Sequence, residues 1–218
     1  MAAVRQTRHR IGRRLAVVVG ALVGIAALLV GGWLLWSALR PAPAGFSPTT
    51  GQAIGAVGQP STVLQYTIDA RSRRNWVYFD FSSNTEIEAS PDSLDWDIAF
   101  KRTKVITNGG ATNPAGAGAA VDLGEVPLPE ADVPAAGFLA DAVDEERGLE
   151  NPALHSWYSY DWMTHVISSD KHTYGVVTAT GETALITFLS YYCDGGSAGC
   201  VTFQYVYPAG SVPAATGP

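Results

Sequence analysis

An all-β domain carried behind a single membrane-spanning helix is the fold class this sequence predicts. Three observations predict it. Leu15–Leu39 runs 25 residues without a charge. Short segments further on alternate apolar and polar side chains with a period of two, as in Asp95–Phe100 and Cys200–Tyr207. The only two cysteines bracket a Gly-rich turn between the last two of those segments.

The elements follow in chain order. At 1.5 Å per residue, a helix over residues 15–39 is long enough to cross a bilayer core with some tilt. Arg5, Arg8, Arg10, Arg13 and Arg14 precede it and mark residues 1–14 as a basic cytoplasmic tail, which places the body outside the cytoplasm. Trp33 and Trp36 lie near the outer end, at headgroup level. A cleaved signal peptide is the competing reading: Ala42-Pro43-Ala44 offers a small-residue site, and cleavage near Ala44 would release a secreted domain. Residues 40–62, with Pro41, Pro43, Pro48 and Pro60 among Gly, Ala, Ser and Thr, read as a linker. Residues 208–218 read as a disordered tail.

Residues 63–207 remain for one body large enough to bury a core. Strands are expected at Val63–Ile68, Trp76–Phe81, Asp95–Phe100 and Val105–Thr107. In Asp95–Phe100, the period places Trp96, Ile98 and Phe100 on one face, with Asp97 and Ala99 on the other. Three strands close the chain, over Tyr174–Ala179, Thr183–Tyr192 and Cys200–Tyr207. A turn at Thr180-Gly181 joins the first two, and Val201, Phe203, Tyr205 and Tyr207 share a face of the last. Phe138–Arg147, with Leu139 and Val143 four apart, is the one helical candidate in the body. Asn108–Ala120 reads as a flexible or flat connection.

Cys193 and Cys200 enclose Asp-Gly-Gly-Ser-Ala-Gly, and an extracytoplasmic location permits a disulfide there. Such a clip contributes about 2–3 kcal/mol through loop entropy. A metal site is the alternative, but no further His or Cys stands at a familiar ligand spacing.

Charge and motifs exclude several classes. Residues 41–218 hold eight basic and all 20 acidic side chains, a net charge of −12, which does not suit a nucleic-acid partner. No nucleophile elbow, zinc-protease motif or phosphate loop is present. Asp95 and Asp97 read as acids on a solvated face. The chain is expected not to be an enzyme.

Three groups of residues carry a family resemblance. The first is Trp76-Val77-Tyr78-Phe79 with Asp95-Trp96-Asp97-Ile98-Ala99-Phe100-Lys101-Arg102. The second is Thr107-Asn108-Gly109-Gly110 and the small residues through Gly118. The third is Tyr174-Gly175-Val176-Val177, the Thr180-Gly181 turn, and Ser190-Tyr191-Tyr192 leading to Val201-Thr202-Phe203-Gln204-Tyr205. In order and spacing they resemble the HmuY family of bacterial haem-binding proteins over roughly residues 63–207. The resemblance implies a hand-shaped, HmuY-like antiparallel β fold and capture of haem by two axial side chains, in the service of iron acquisition or relay. Family members are often lipoproteins attached through an N-terminal Cys. Here the cysteines are 193 and 200 alone, and the apolar run stands in place of the lipid.

Candidate ligands are ranked by chemistry, since imidazole and thioether both bind haem iron. Beyond the leader, His155, His165, His172 and Met163 qualify, all within eighteen residues. Trp157, Tyr158, Tyr160 and Trp162 interleave with them as candidate apolar walls for the porphyrin. His165 with His172 is the expected axial pair, with His155 or Met163 as fallback, and no other metal is implied. Lys101, Arg102 and Lys104 are candidates to neutralise haem propionates. The alternative is a non-haem β domain of the same fold serving envelope structure or contact with a protein partner. It predicts scattered histidines and an aromatic run that fills the core.

Overall fold

The computed structural model describes residues 2–54 and 63–209, in two compact units, Met1–Ala42 and Pro43–Pro218. The first unit is a helix, α1 (Ala2–Ala38). Within it Val17–Ser37 has a mean hydropathy of 2.4, long and apolar enough to cross a membrane or to serve as a signal sequence. The basic segment expected as a tail continues this helix rather than preceding it. Pro41 lacks an N–H and fixes its own φ, so the helix ends ahead of it. The Arg40 guanidinium lies 3.8 Å from the Trp36 ring centroid, a cation–π pairing.

The second unit is built almost wholly of strands. Its large sheet runs in the order β2 (Thr49–Ile54), β3 (Val63–Asp69), β15 (Ala198–Val206), β14 (Thr183–Cys193), β13 (Thr173–Val177) and β8 (Ala119–Asp122). These neighbours pair antiparallel. A short β1 (Gly45–Phe46) pairs parallel with β14 at Tyr192 and Cys193. A smaller antiparallel sheet has the order β5 (Thr85–Ile87), β4 (Val77–Asp80), β6 (Ile98–Lys101), β7 (Lys104–Thr107). Two hairpins stand apart, β9 (Ala142–Asp144) with β10 (Gly148–Glu150), and β11 (Tyr158–Asp161) with β12 (Val166–Ser169).

The core lies between the two sheets. Tyr66, Ile68, Phe188, Val201, Phe203 and Tyr205 of the large sheet meet Phe79, Ile98, Phe100 and Val105 of the small one. Tyr207 packs against this cluster, so the expected face of the last strand is present. The expected strands fall within a residue or two of their elements, apart from the stretch before β6. The Cys193–Cys200 disulfide is formed and closes the β14–β15 hairpin.

Several expectations are corrected. Phe138–Arg147 holds no helix. The Asp144 carboxylate accepts from the backbone N–H of Glu146 and Arg147 at 2.9 and 2.8 Å, which makes a turn, and β9 and β10 flank it. Segment 40–62 is not all linker: β1 and β2 lie in it, while residues 55–62 fall outside the described residues. The expected tail is described only at Pro208 and Ala209, where Ala209 is buried beside Leu128, Leu185 and Val206. Trp96 does not share a face with Ile98 and Phe100. It precedes the strand and packs with Ala99 and Ile106 on the opposite side of the small sheet. Asn108–Ala120 is not a flexible connection, because Asn108 and Asn113 are buried and bonded to each other at 2.8 Å. A Cβ on Gly109 would sit 2.0 Å from the carbonyl oxygen of Gly118, so the two segments cross in contact with no room for a side chain.

Asp97 is likewise not on a solvated face. Its carboxylate is buried and accepts from the N–H of Phe81 and of Ala179, both at 3.0 Å, which ties the ends of β4 and β13 together. Burial, with Asp80 adding like charge, outweighs those donors and raises its pKa to about 6. The folded state therefore binds this proton more tightly than the unfolded chain does. Stability from this group is greatest below 3.8 and declines as pH rises from there to about 6. Melting temperature should rise between pH 6 and pH 4 more in the wild type than in Asp97→Asn. Parallel profiles would dismiss the coupling.

Candidate functional site

The His-, Trp- and Tyr-rich segment folds as the β11–β12 hairpin and its flanks. Its turn is set locally. The Asp161 carboxylate accepts from the N–H of Met163 at 2.9 Å and of Thr164 at 3.2 Å, and His165 closes the turn at φ 56°. The result is a projecting tip on which Trp162 is 73% exposed, Tyr160 53% and Met163 47%. The hairpin is pinned at its foot. Trp157 is fully buried and donates Nε1–H to the Thr103 carbonyl at 2.8 Å. The Ile167 N–H reaches the Tyr192 hydroxyl at 2.9 Å, and the Ser169 hydroxyl reaches the Phe188 carbonyl at 2.6 Å. Below the tip, Thr164 Oγ1 is buried without a hydrogen-bond partner among the described residues.

The three histidines differ in what their rings offer. His155 has both nitrogens engaged, Nδ1 with the Pro152 carbonyl and Nε2 with the Ser156 hydroxyl, each at 2.8 Å. A metal would have to displace one of these. His172 is held at Nδ1 by both Asp122 carboxylate oxygens at 3.0 Å, with Asp170 at 3.6 Å. The Asp122 hydrogen bond raises its pKa, so protons compete for its ring to higher pH than usual. His165 is exposed, and its Nδ1 bonds the Tyr160 hydroxyl. Its Nε2 has no partner among the described residues. An imidazole oriented through one nitrogen with the other free is the form in which histidine binds metal.

These residues do not form one cleft. His165 sits at the tip, before β12, and His172 sits beyond the far end of that strand. Four strand residues span roughly 13 Å. Two nitrogens on opposite faces of one metal lie about 4 Å apart, twice a metal–nitrogen bond of roughly 2 Å. Met163 and His165 do come together on one turn. Because they straddle that turn rather than share a strand, the two-residue period does not govern them. Trp157 is core, packed 4.8 Å from the Phe188 ring, and is not a pocket wall. Tyr158 is half-buried at the foot, where its hydroxyl bonds Thr103 Oγ1 at 3.3 Å. Tyr160 and Trp162 stay available at the tip. Among the described residues, no group of three or more His, Cys, Asp or Glu side chains could hold a metal ion.

Sequence reasoning missed two partners. Asp122 stands fifty residues from His172 and carries no local signal of that pairing. Tyr160 orients His165 as well as presenting a ring, and the five-residue spacing becomes readable only once the hairpin register is known. The candidate propionate cations are committed elsewhere. Lys101 lies over Trp76, Arg102 donates to the carbonyls of Arg71 and Ala198, and Lys104 donates to the carbonyl of Arg147. An open groove of about 410 Å³ on the outer side of the small sheet is lined by Trp76, Val77, Tyr78, Glu86, Ile87, Glu88 and Ala89, and no histidine reaches it.

Comparison with known proteins gives a consistent picture. The family model for HmuY protein matches residues 72–205. A structure of a putative lipoprotein from Bacteroides fragilis is 21% identical with a TM-score of 0.57, covering 73% of this chain and 95% of that one. A putative HmuY-like heme-binding protein from Bacteroides vulgatus is 21% identical with a TM-score of 0.55, covering 68% and 93%. An apo HmuY analog from Tannerella forsythia is 19% identical with a TM-score of 0.55, covering 70% and 98%. No curated protein sequence matches the chain.

Proposed function

This chain belongs to the HmuY family, and from that membership we propose that it is an extracytoplasmic haem-binding protein tethered to its membrane by Val17–Ser37, acting in haem acquisition or relay. The observation that carries the reading is the family match across residues 72–205. The hairpin tip supports it. His165 offers a free Nε2 steadied through Nδ1 by Tyr160, Met163 offers a thioether on the same turn, and Trp162 and Tyr160 offer exposed aromatic surface. Haem would supply the iron centre, and these residues would hold it. His172 and His155 rank below them because their ring nitrogens are already engaged. The chain would be a carrier and not an enzyme.

Titrating the unit beginning at Pro43 with haem, followed at the Soret band, tests this. The wild type should give a saturable one-to-one shift. His165→Ala should weaken binding about 10- to 100-fold, and His172→Ala much less. A second reading draws on the separation of the three histidines: the domain is a non-haem contact module of the envelope. Haem that merely adsorbs, with spectra indifferent to His165→Ala and Met163→Ala, would favour it.

A further inference from the structure

The two ends of the β domain differ in charge. Strands β3, β6 and β14 run toward one end, and β4, β7 and β15 start from it. Six of the eight cations of residues 41–218 lie in two loops there. Arg71, Arg73 and Arg74 follow β3, and Lys101, Arg102 and Lys104 form the β6–β7 turn. Backbone contacts hold the loops together: Arg102 N–H donates to the Ala70 carbonyl and Ala70 N–H to the Gly199 carbonyl, both at 2.8 Å. Arg71 is paired with Asp69, and Asp194 lies on the neighbouring hairpin. The β9–β10 turn brings Asp144, Glu145 and Glu146 to the same end, where Lys104 donates to the Arg147 carbonyl, and Asp161 stands at the tip turn. Acids and cations therefore nearly balance here, while the acidic excess lies on the rest of the body. Arg73 and Arg74 are exposed with no acidic partner among the described residues. Ser72 Oγ caps their turn by accepting from the N–H of Arg74 and Asn75 at 3.2 and 2.8 Å.

Two further features share this end. The first strand of the domain runs to it: β1 lies parallel with β14, Gly45 at Tyr192 and Phe46 at Cys193, and Asp194 N–H donates to the Phe46 carbonyl at 3.0 Å. The β11–β12 tip also points this way, since Ser169 meets Phe188 and Ile167 meets Tyr192 further along β14. From Ser37 to Gly45 the chain spans at most roughly 28 Å. A bilayer holding Val17–Ser37 is therefore within reach of the surface to which β1 belongs.

We propose that this end is a docking surface for the domain's own membrane, with Arg73 and Arg74 on anionic lipid headgroups and Trp162 at the interface. Charge complementarity selects the occupant. Cations near an anionic bilayer are attracted within a Debye length, while the acidic remainder of a body with net charge −12 is repelled, so the two ends orient the domain together. Exposed indole belongs at headgroup level. The inference goes beyond haem binding and is read without haem.

The test places the full chain in nanodiscs of phosphatidylcholine alone or mixed equally with phosphatidylglycerol, and follows amide hydrogen exchange. Exchange over residues 71–76 and 161–165 should be on the order of tenfold slower in the anionic discs. Residues 82–84 and 90–95, at the opposite end, should not change. Arg73→Glu with Arg74→Glu, or high salt, should erase the difference. Equal exchange in the two lipids overturns the proposal, as does protection that survives the double charge reversal. Protection that follows protein concentration and not lipid charge also overturns it and assigns the surface to a second copy of the chain.

Discussion

Phe203→Ala is expected to cost the β domain about 3–5 kcal/mol, one of the two largest effects of any single change considered. Phe203 is fully buried at the centre of the sandwich. Its ring stacks on Phe100 at 5.3 Å and on Tyr66 at 6.2 Å, meets Phe79 edge-on at 5.4 Å, and touches Tyr205 and Phe188 at 5.9 and 6.5 Å. Those rings come from both sheets, so removing the central one opens a cavity that neither sheet can close without moving the other. A domain of this size has only about 5–15 kcal/mol to lose. Urea unfolding of the unit beginning at Pro43 measures the change. A loss below about 1 kcal/mol would mean that the sheets slide together and that the core is not the rigid stack described.

Much of this frame was legible in the sequence. Val201, Phe203, Tyr205 and Tyr207 recur every second residue, and one strand face carries them. Trp96 misled because alternation was extended through residues that precede the strand: β6 begins at Ile98, and the chain turns before it. The short hairpins escaped because a three- or four-residue strand has too few alternations to register, and because Asp144 and Asp161 set turns through side-chain bonds that a helical spacing ignores. The clustering of His155, Met163, His165 and His172 was real in sequence and did not become a cluster in space. Folding the segment into a hairpin sends residues seven apart to opposite ends of a strand. Proximity along a chain locates a ligand set only when the element is known.

Asp141→Ala should cost about 3 kcal/mol or more, for a reason unrelated to cavity volume. The Asp141 carboxylate is buried. It accepts from Thr107 N–H at 2.9 and 3.1 Å, Thr107 Oγ1 at 2.8 Å, Thr112 Oγ1 at 2.5 Å and Asn151 Nδ2 at 2.9 Å. It thereby joins β7, the Gly-rich crossing and the chain leading to β11. The two hydroxyls can rotate toward other acceptors, but the backbone N–H of Thr107 cannot, and the Asn151 amide would lose one of its two partners. Each buried donor left unpaired costs about 1–3 kcal/mol. Asp141→Asn keeps the volume and one acceptor, so it should lose distinctly less than the alanine variant, as read by the same urea curves. If the two lose equally, the negative charge and not the acceptor count holds the loops. The damage should also be local, because Asp141 contacts none of the hairpin-tip residues. Well below its unfolding transition the alanine variant should titrate with haem as the wild type does, whereas His165→Ala should fail to bind haem normally while unfolding at the wild-type midpoint.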